Sequence, residues 1–296
     1  MTEELGSVVD ARPRQGGRRL PLAWLGAVPF LAYVSIFLLL PTAIVVIGAF
    51  AGPNGPTLSN LNTLTQDYVV ASFVKSIELS AASSAVGAVF GSLLAYAIVT
   101  GKPDATMRRL VTSACGVLAQ FGGVTLAFAF IATVGGEGLI TVFFADRGID
   151  IGSSVWLFEL PGLTLVYSYF QIPLMVLVFL PALDGIRPQW REATETLGGN
   201  GWHYWRHVAA PILWPAFLGA TLLLFANAFS AYATVAALVS QGGIIVPLQI
   251  ANSIQSEVGA ANENVGKALA LGMVVIVAIV MTLYVLLQRK SAKWQR

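Results

Sequence analysis

The sequence predicts an all-α polytopic membrane protein with six transmembrane helices. Three observations carry that prediction: a scarcity of charge, six long segments with no charged residue, and a lopsided distribution of Arg and Lys among the loops that join them. Of 296 residues, 56% are hydrophobic and 11% charged, with a mean hydropathy of +0.74. A soluble domain carries about 25% charged residues, so the deficit fits lipid as the solvent. A helix crossing the ~30 Å hydrocarbon core needs about 20 apolar residues. Six stretches without Asp, Glu, Lys or Arg reach that length: 22–50, 79–99, 110–134, 160–183, 208–239 and 268–287. Lipid cannot satisfy free backbone N–H and C=O groups, which selects helices. The alternating strands of an outer-membrane barrel are absent from the sequence.

The tail 1–21 carries Arg12, Arg14, Arg18 and Arg19. Ala49-Phe50-Ala51 at the end of the first span fits a small-residue cleavage pattern, yet 29 apolar residues exceed the h-region of about 7–15 found in a signal peptide. An uncleaved anchor is expected. Lys75 and Glu78 precede the second span and belong at the membrane interface. Its Gly87 and Gly91 suit close helix approach. The third span holds the single cysteine, Cys115, which reads as a small buried hydrophobe; one cysteine excludes an internal disulfide and a zinc cluster. Pro161 and Pro173 in the fourth span and Pro215 in the fifth allow kinks, which neighbouring helices make tolerable.

Orientation follows from the basic residues. The tail before span one, the loops after spans two and four, and the C-terminal tail 288–296 together hold 14 Arg and Lys; the other side holds only Lys75, Arg147 and Lys267. The positive-inside rule places both termini in the cytoplasm. The expected organisation is a cytoplasmic tail 1–21, one transmembrane domain 22–287 with a cytoplasmic loop 184–210, and a cytoplasmic tail 288–296.

Several function classes are excluded. The spans carry no ionisable Asp, Glu, Lys or Arg, which weighs against an ion-coupled carrier. Their polar groups are neutral: Gln120, Gln171, Asn227 and Tyr232 are the candidate pore-lining residues. No phosphate-cradling Gly-x-x-x-x-Gly-Lys-Ser/Thr is present, since Gly101-Lys102 runs into Pro103 and Gly266-Lys267 into Ala268. No Gly-x-Ser-x-Gly elbow appears, so no catalytic residue is assigned. His203 and His207 have the spacing of a His-Glu-x-x-His zinc site, but Tyr204 replaces the general base and the chain has no third histidine. No metal site is expected, and no basic patch with interleaved aromatics points to nucleic acid.

Most information lies in the stretch from Asp184 to Pro211. Pro188 suits the first turn of a helix. Trp190, Ala193 and Leu197 then recur at helical spacing on one face, and Gly198-Gly199-Asn200-Gly201 ends the helix. A second short helix with Trp202, Trp205 and Val208 in line is expected to follow. Such an amphipathic helix–turn–helix suits the membrane interface or a groove on a soluble partner.

This stretch resembles the Glu-Ala-Ala motif of permease subunits of bacterial binding-protein-dependent ABC importers: Glu192-Ala193-Thr194, Gly198 three residues on, Val208 nine further on, and Pro211 at the end. Thr194 stands where the family prefers alanine, and Ala210 where it prefers leucine. Span number and length fit as well. The resemblance implies the type I importer permease fold and a coupling helix seated in a cleft of an ATP-binding subunit. Arg191 and Glu192 would make charged contacts there, Ala193 and Gly198 would permit close approach and the turn, and Thr194 and Pro211 belong to the same coupling motif. It further implies an ATPase subunit dimer, a second permease (identical or homologous), an extracytoplasmic solute-binding protein, a bacterial inner membrane, and no cofactor on this chain, ATP being bound by its partner. The outer loops 51–72, 135–159 and 240–267 would meet the binding protein, with the apolar stretch Gly242–Gln255 a short helix at the pore mouth. Leu197-Gly198 resembles the polyamine, phosphonate and iron(III) group more than sugar permeases, which place Asp before the glycine. A sugar permease is the alternative. A secondary carrier or channel is the rival class, and uptake without nucleotide would favour it.

Overall fold

A computed structural model describes residues 23–52, 55–101, 105–148, 154–239, 245–255 and 260–292. The tail 1–21, Lys102, residues 242–244 and residues 293–296 of the C-terminal tail lie outside the described residues. The chain divides into two units, 1–45 and 46–296. Among the described residues, six helices are long and apolar enough to cross a membrane: Ala27–Ala49, Asp67–Thr100, Val124–Ala145, Leu160–Asp184, Gly201–Ser230 and Asn264–Leu287.

The first unit contains α1 (Ala23–Val34) and a π-helical turn, Ser35–Leu39, that leads into α2 (Leu40–Ala49). The turn closes with Leu40 N–H bonding Ser35 O. Pro41 explains it: a proline lacks the N–H for an i→i−4 bond, and its ring crowds the carbonyl four residues back, so the helix widens by one residue.

The second unit opens with a two-stranded antiparallel pair, β1 (Ala51–Gly52) and β2 (Gly55–Pro56), and a 3₁₀ helix, Ser59–Thr65. The principal helices are α3 (Asp67–Thr100), α4 (Ala105–Gln120), α5 (Val124–Val134), α6 (Leu139–Ala145) and α7 (Leu160–Asp184). They continue with α8 (Pro188–Thr196), α9 (Gly201–Tyr204), α10 (Ala210–Ser230), α11 (Ala233–Leu238), α12 (Val246–Gln255) and α13 (Ala260–Ala292).

Helix α7 is the axis of this unit. Leu163, Val166, Tyr167 and Phe170 in its first half pack with Leu126 and Ala127 of α5 and Val235 and Leu238 of α11. In its second half Met175, Phe179 and Leu183 pack with Ala88 and Ala95 of α3, Cys115 of α4 and Leu213 and Leu224 of α10. The approach of α3 to α7 requires glycine. A Cβ on Gly87 would lie 2.7 Å from Gln171 Cβ, and one on Gly91 2.6 Å from Ile172 O. This is the small-residue packing that brings membrane helices together without a hydrophobic driving force.

Helix α3 presents buried serines at Ser72, Ser76, Ser80, Ser83 and Ser84. Ser80 bonds back to the Ser76 carbonyl at 2.6 Å, whereas Ser76 Oγ accepts the Val246 N–H at 2.9 Å. Gln249 donates to Ser72 Oγ at 2.5 Å. The apolar stretch foreseen as a short helix is therefore α12, docked on α3 and α13 with Val246 and Leu248 buried.

The structure corrects four expectations. The second span begins at Asp67 rather than 79 and carries Lys75 and Glu78 as exposed residues within it; isolated charges end an apolar run without ending a helix. Segment 110–134 is not one helix, because α4 and α5 part at Phe121-Gly122-Gly123, with Gly123 at φ +73°. Segment 208–239 parts at Ala231-Tyr232, between α10 and α11. The second helix of the 184–211 stretch is not separate: Gly201–Ser230 runs on as one element.

Candidate functional site: an exposed loop and a polar cavity

The sequence-predicted residues fall into two places. The first is the loop that follows α7. Arg187, in extended conformation, caps α8, and Pro188 occupies its first turn. Gly198 has φ +79°, the conformation that lets Gly199 N–H bond Thr194 O at 2.9 Å and Gly198 N–H bond Glu195 O at 3.0 Å. A Cβ on Gly198 would meet nothing within 4 Å, so glycine is required there for its backbone angle alone. Asn200 Oδ1 accepts the His203 N–H at 3.1 Å, an N-cap for the next helix.

No residue of α8 is buried. Arg191 reaches Glu195 at 3.1 Å on its outer face. Glu192 and Ala193 are exposed, Thr194 is half-buried with its hydroxyl on Trp190 O at 2.8 Å, and Leu197 is 88% exposed. The sequence reading placed Leu197 on a face with Trp190 and Ala193; the structure makes it the outermost apolar group of the turn. The tryptophans divide. Trp202 is exposed, whereas Trp205 packs edge-on against Tyr96 at 5.2 Å. A second π-helical turn, Trp205–Ala209, closes with Ala210 N–H on Trp205 O, again one residue before a proline, Pro211. His203 and His207 stack with ring centroids 6.1 Å apart, and among the described residues no three His, Cys, Asp or Glu could hold a metal ion.

The second place is where the two broken segments meet. Gly123 N–H donates to Thr234 Oγ1 at 2.9 Å, and Tyr167 Oη donates to Ala231 O at 2.8 Å. Each break frees backbone groups that lipid cannot satisfy; here side chains from neighbouring helices satisfy them. Between the breaks lies a cavity of about 290 Å³ whose polar lining includes Gln120, Asn227, Ser230 and Tyr232. None of its lining residues is charged. Gln171 does not line it. That side chain is fully buried, donates to Leu224 O at 2.8 Å and accepts from Asn227 Nδ2 at 3.3 Å. Tyr167 and Thr234 were not singled out from the sequence, because a lone hydroxyl in an apolar run carries no local sign of what it will bond. The Gly122-Gly123 pair was the available signal for the first break.

The arrangement leaves an exposed helix–turn–helix at one end of the bundle and an open, neutral polar cleft beside the two breaks.

Comparison with known proteins shows the family. Residues 87–295 match the family described as binding-protein-dependent transport system inner membrane component. The sulfate transport system permease protein CysW of Escherichia coli (strain K12) is 26% identical over 245 residues, covering 81% of this chain and 79% of that protein. CysW of Synechococcus elongatus is 24% identical over 204 residues, covering 69% of this chain and 67% of that protein. The putative ferric transport system permease protein FbpB 1 of Haemophilus influenzae is 26% identical over 201 residues, which span 65% of this chain but 30% of that protein. In fold, the chain matches a chain of the crystal structure of a bacterial ABC transporter involved in the import of the acidic polysaccharide alginate, with a TM-score of 0.68 at 15% identity, covering 92% and 95% of the two chains. The chain belongs to the family of binding-protein-dependent transport system inner membrane components, the membrane permease subunits of ABC importers.

Proposed function

We propose that this chain forms half of the translocation pore of an ATP-driven importer for a small charged solute. The carrying observation is the loop 185–209: a helix–turn–helix with no buried residue in α8 and with Leu197 88% exposed. A short helix with no fully buried residue gains little stability from its own protein, so this one is shaped for a partner. The partner is the ATPase subunit. Arg191 and Glu192 meet charged groups of its cleft, Leu197 fills its apolar floor, and Gly198 sets the turn. This orientation puts the loop and both termini on the cytoplasmic side of a bacterial inner membrane. A second permease, identical or homologous, completes the pore, and a solute-binding protein delivers from the opposite side.

The cavity between the breaks is the solute's route, with Gln120, Asn227 and Tyr232 on its wall and Gln171 holding Asn227. Neutral amides and hydroxyls suit a conduit, since a passage must bind weakly enough to release. The sulfate and ferric systems named among its relatives support a small charged solute, with polyamines and aminophosphonates in the same class. Discrimination then rests with the binding protein.

The test is reconstitution in proteoliposomes with the co-purifying ATPase and binding protein. Uptake of the ligand that raises the binding protein's Tm is expected to require ATP and to fall about tenfold or more in Glu192→Lys and Gly198→Asp, with membrane insertion unchanged. Full uptake in both variants, or uptake without nucleotide, rejects the proposal.

A further inference from the structure

Helix α4 has one end at the loop and the other at the cavity. We propose that it is the strut carrying movement of the loop to the cavity, with Arg108 and Thr234 as the positioning residues at its two connections. The proposal rests on the reading of this chain as an ATP-driven permease.

At the loop end, Arg108 Nη2 meets Asp184 Oδ2 at 2.5 Å, joining positions 76 apart in sequence. Asp184 is the last residue of α7 and lies three residues before Arg187, the cap of α8. This ion pair links separate elements, whereas Arg191–Glu195 lies within one helix. Both groups are about two-fifths exposed, at 40% and 42%. A pair so exposed adds little to folding, which leaves its position as its contribution.

Between the ends, α4 is an uninterrupted helix of 16 residues, about 24 Å long at 1.5 Å per residue. Val111 and Cys115 pack it along the second half of α7.

At the cavity end the helix stops at Gln120, and both Ala119 and Gln120 line the chamber. The break that follows is loosely packed. A Cβ on Gly122 would have only Phe170 Cδ1 within 4 Å, at 3.8 Å, and one on Gly123 only Ala233 Cβ, at 3.5 Å. The bond from Gly123 N–H to Thr234 Oγ1 crosses from this break to α11. A rigid rod fastened at the loop, ending in a two-glycine joint tied to the other broken helix, is the kind of discrete element through which two sites bias one equilibrium. A displacement of Asp184 by the docked ATPase then turns α4 at Gly122-Gly123 and moves the wall that Ala119 and Gln120 form.

The test uses the intact importer, purified with its own ATPase subunits and placed in lipid nanodiscs. Cys115→Ala removes the native thiol and Ala119→Cys supplies the reporter. The probe is a membrane-impermeant maleimide, applied with and without ATP plus vanadate. In this parent the labelling rate is expected to change about fivefold on trapping. Arg108→Glu and Asp184→Arg each abolish the change while ATP hydrolysis continues, the double reversal restores it, and Thr234→Val abolishes it from the far end. Retained response in either single reversal, or a swap that fails to restore it, overturns the strut. Retained response in Thr234→Val overturns its far connection. Where a reversal does not assemble, Asp184→Asn decides in its place by the same criterion. A parent without any nucleotide-dependent change overturns the strut, whereas uptake without nucleotide in the same preparation overturns the importer reading on which it rests.

Discussion

The loop 185–209 and the cavity between the broken helices are built by opposite means. The loop is local: residues within five positions of one another make its bonds, from Thr194 to Trp190 and from Gly199 to Thr194. The cavity is assembled from afar, by bonds spanning 111, 64 and 53 positions at Gly123–Thr234, Tyr167–Ala231 and Gln171–Leu224. A surface for a partner must stand free of its own protein, whereas a chamber in a membrane must have its freed backbone satisfied internally. Changes in the loop should therefore alter partnership and spare stability, and changes around the cavity should do the reverse.

The largest effect is expected where α3 packs on α7, the helix that carries Phe170 to the cavity. Gly91→Leu places a side chain where even a Cβ would be 2.6 Å from Ile172 O. Overpacking of this kind costs about 3 kcal/mol, and the variant should be recovered in low yield with a clearly lowered Tm in detergent. Next is Gln171→Leu, which removes both bonds of a fully buried amide for about 1–2 kcal/mol. Thermal unfolding of the purified chain measures it, and an unchanged Tm would break the comparison on the cavity side. Gly198→Val puts a branched side chain at φ +79°, a strain of about 1–2 kcal/mol confined to the turn. Its Tm should fall by no more than that of Gln171→Leu, while stimulated ATP hydrolysis of the assembled importer falls well below the parent. The smallest effect is Arg191→Ala: the pair with Glu195 is 68% and 58% exposed, so stability should move by less than about 0.5 kcal/mol, with any loss showing in ATPase affinity.

The same contrast explains what could be read in advance. Lipid imposes a length and a polarity on each span, so the number of spans follows from charge-free runs without tertiary knowledge, although the third lies at Val124–Ala145, across Glu137, rather than at 110–134. The loop is legible because Pro188, Gly198 and Asn200 each act through local backbone geometry. The breaks are not, because hydrophobicity continues through Phe121-Gly122-Gly123 and Ala231-Tyr232 while the helix does not. Hydropathy registers the solvent, and a break compensated by Thr234 or Tyr167 leaves the solvent unchanged. Helix α3 shows the converse, running through Lys75 and Glu78 where hydropathy stops. Both π-helical turns carried a usable sign, since each closes on the N–H of the residue before a proline, at Leu40-Pro41 and Ala210-Pro211.

The most direct measurement of the central claim replaces the exposed apolar group of the loop. Leu197→Asp touches a side chain that is 88% exposed, so the purified chain should keep its Tm. If the loop is the docking surface for a separate ATPase, the variant loses co-purification of that subunit and ATP-dependent uptake together. A Leu197→Asp chain that recovers the ATPase at full stoichiometry and transports at the parent rate would contradict the account.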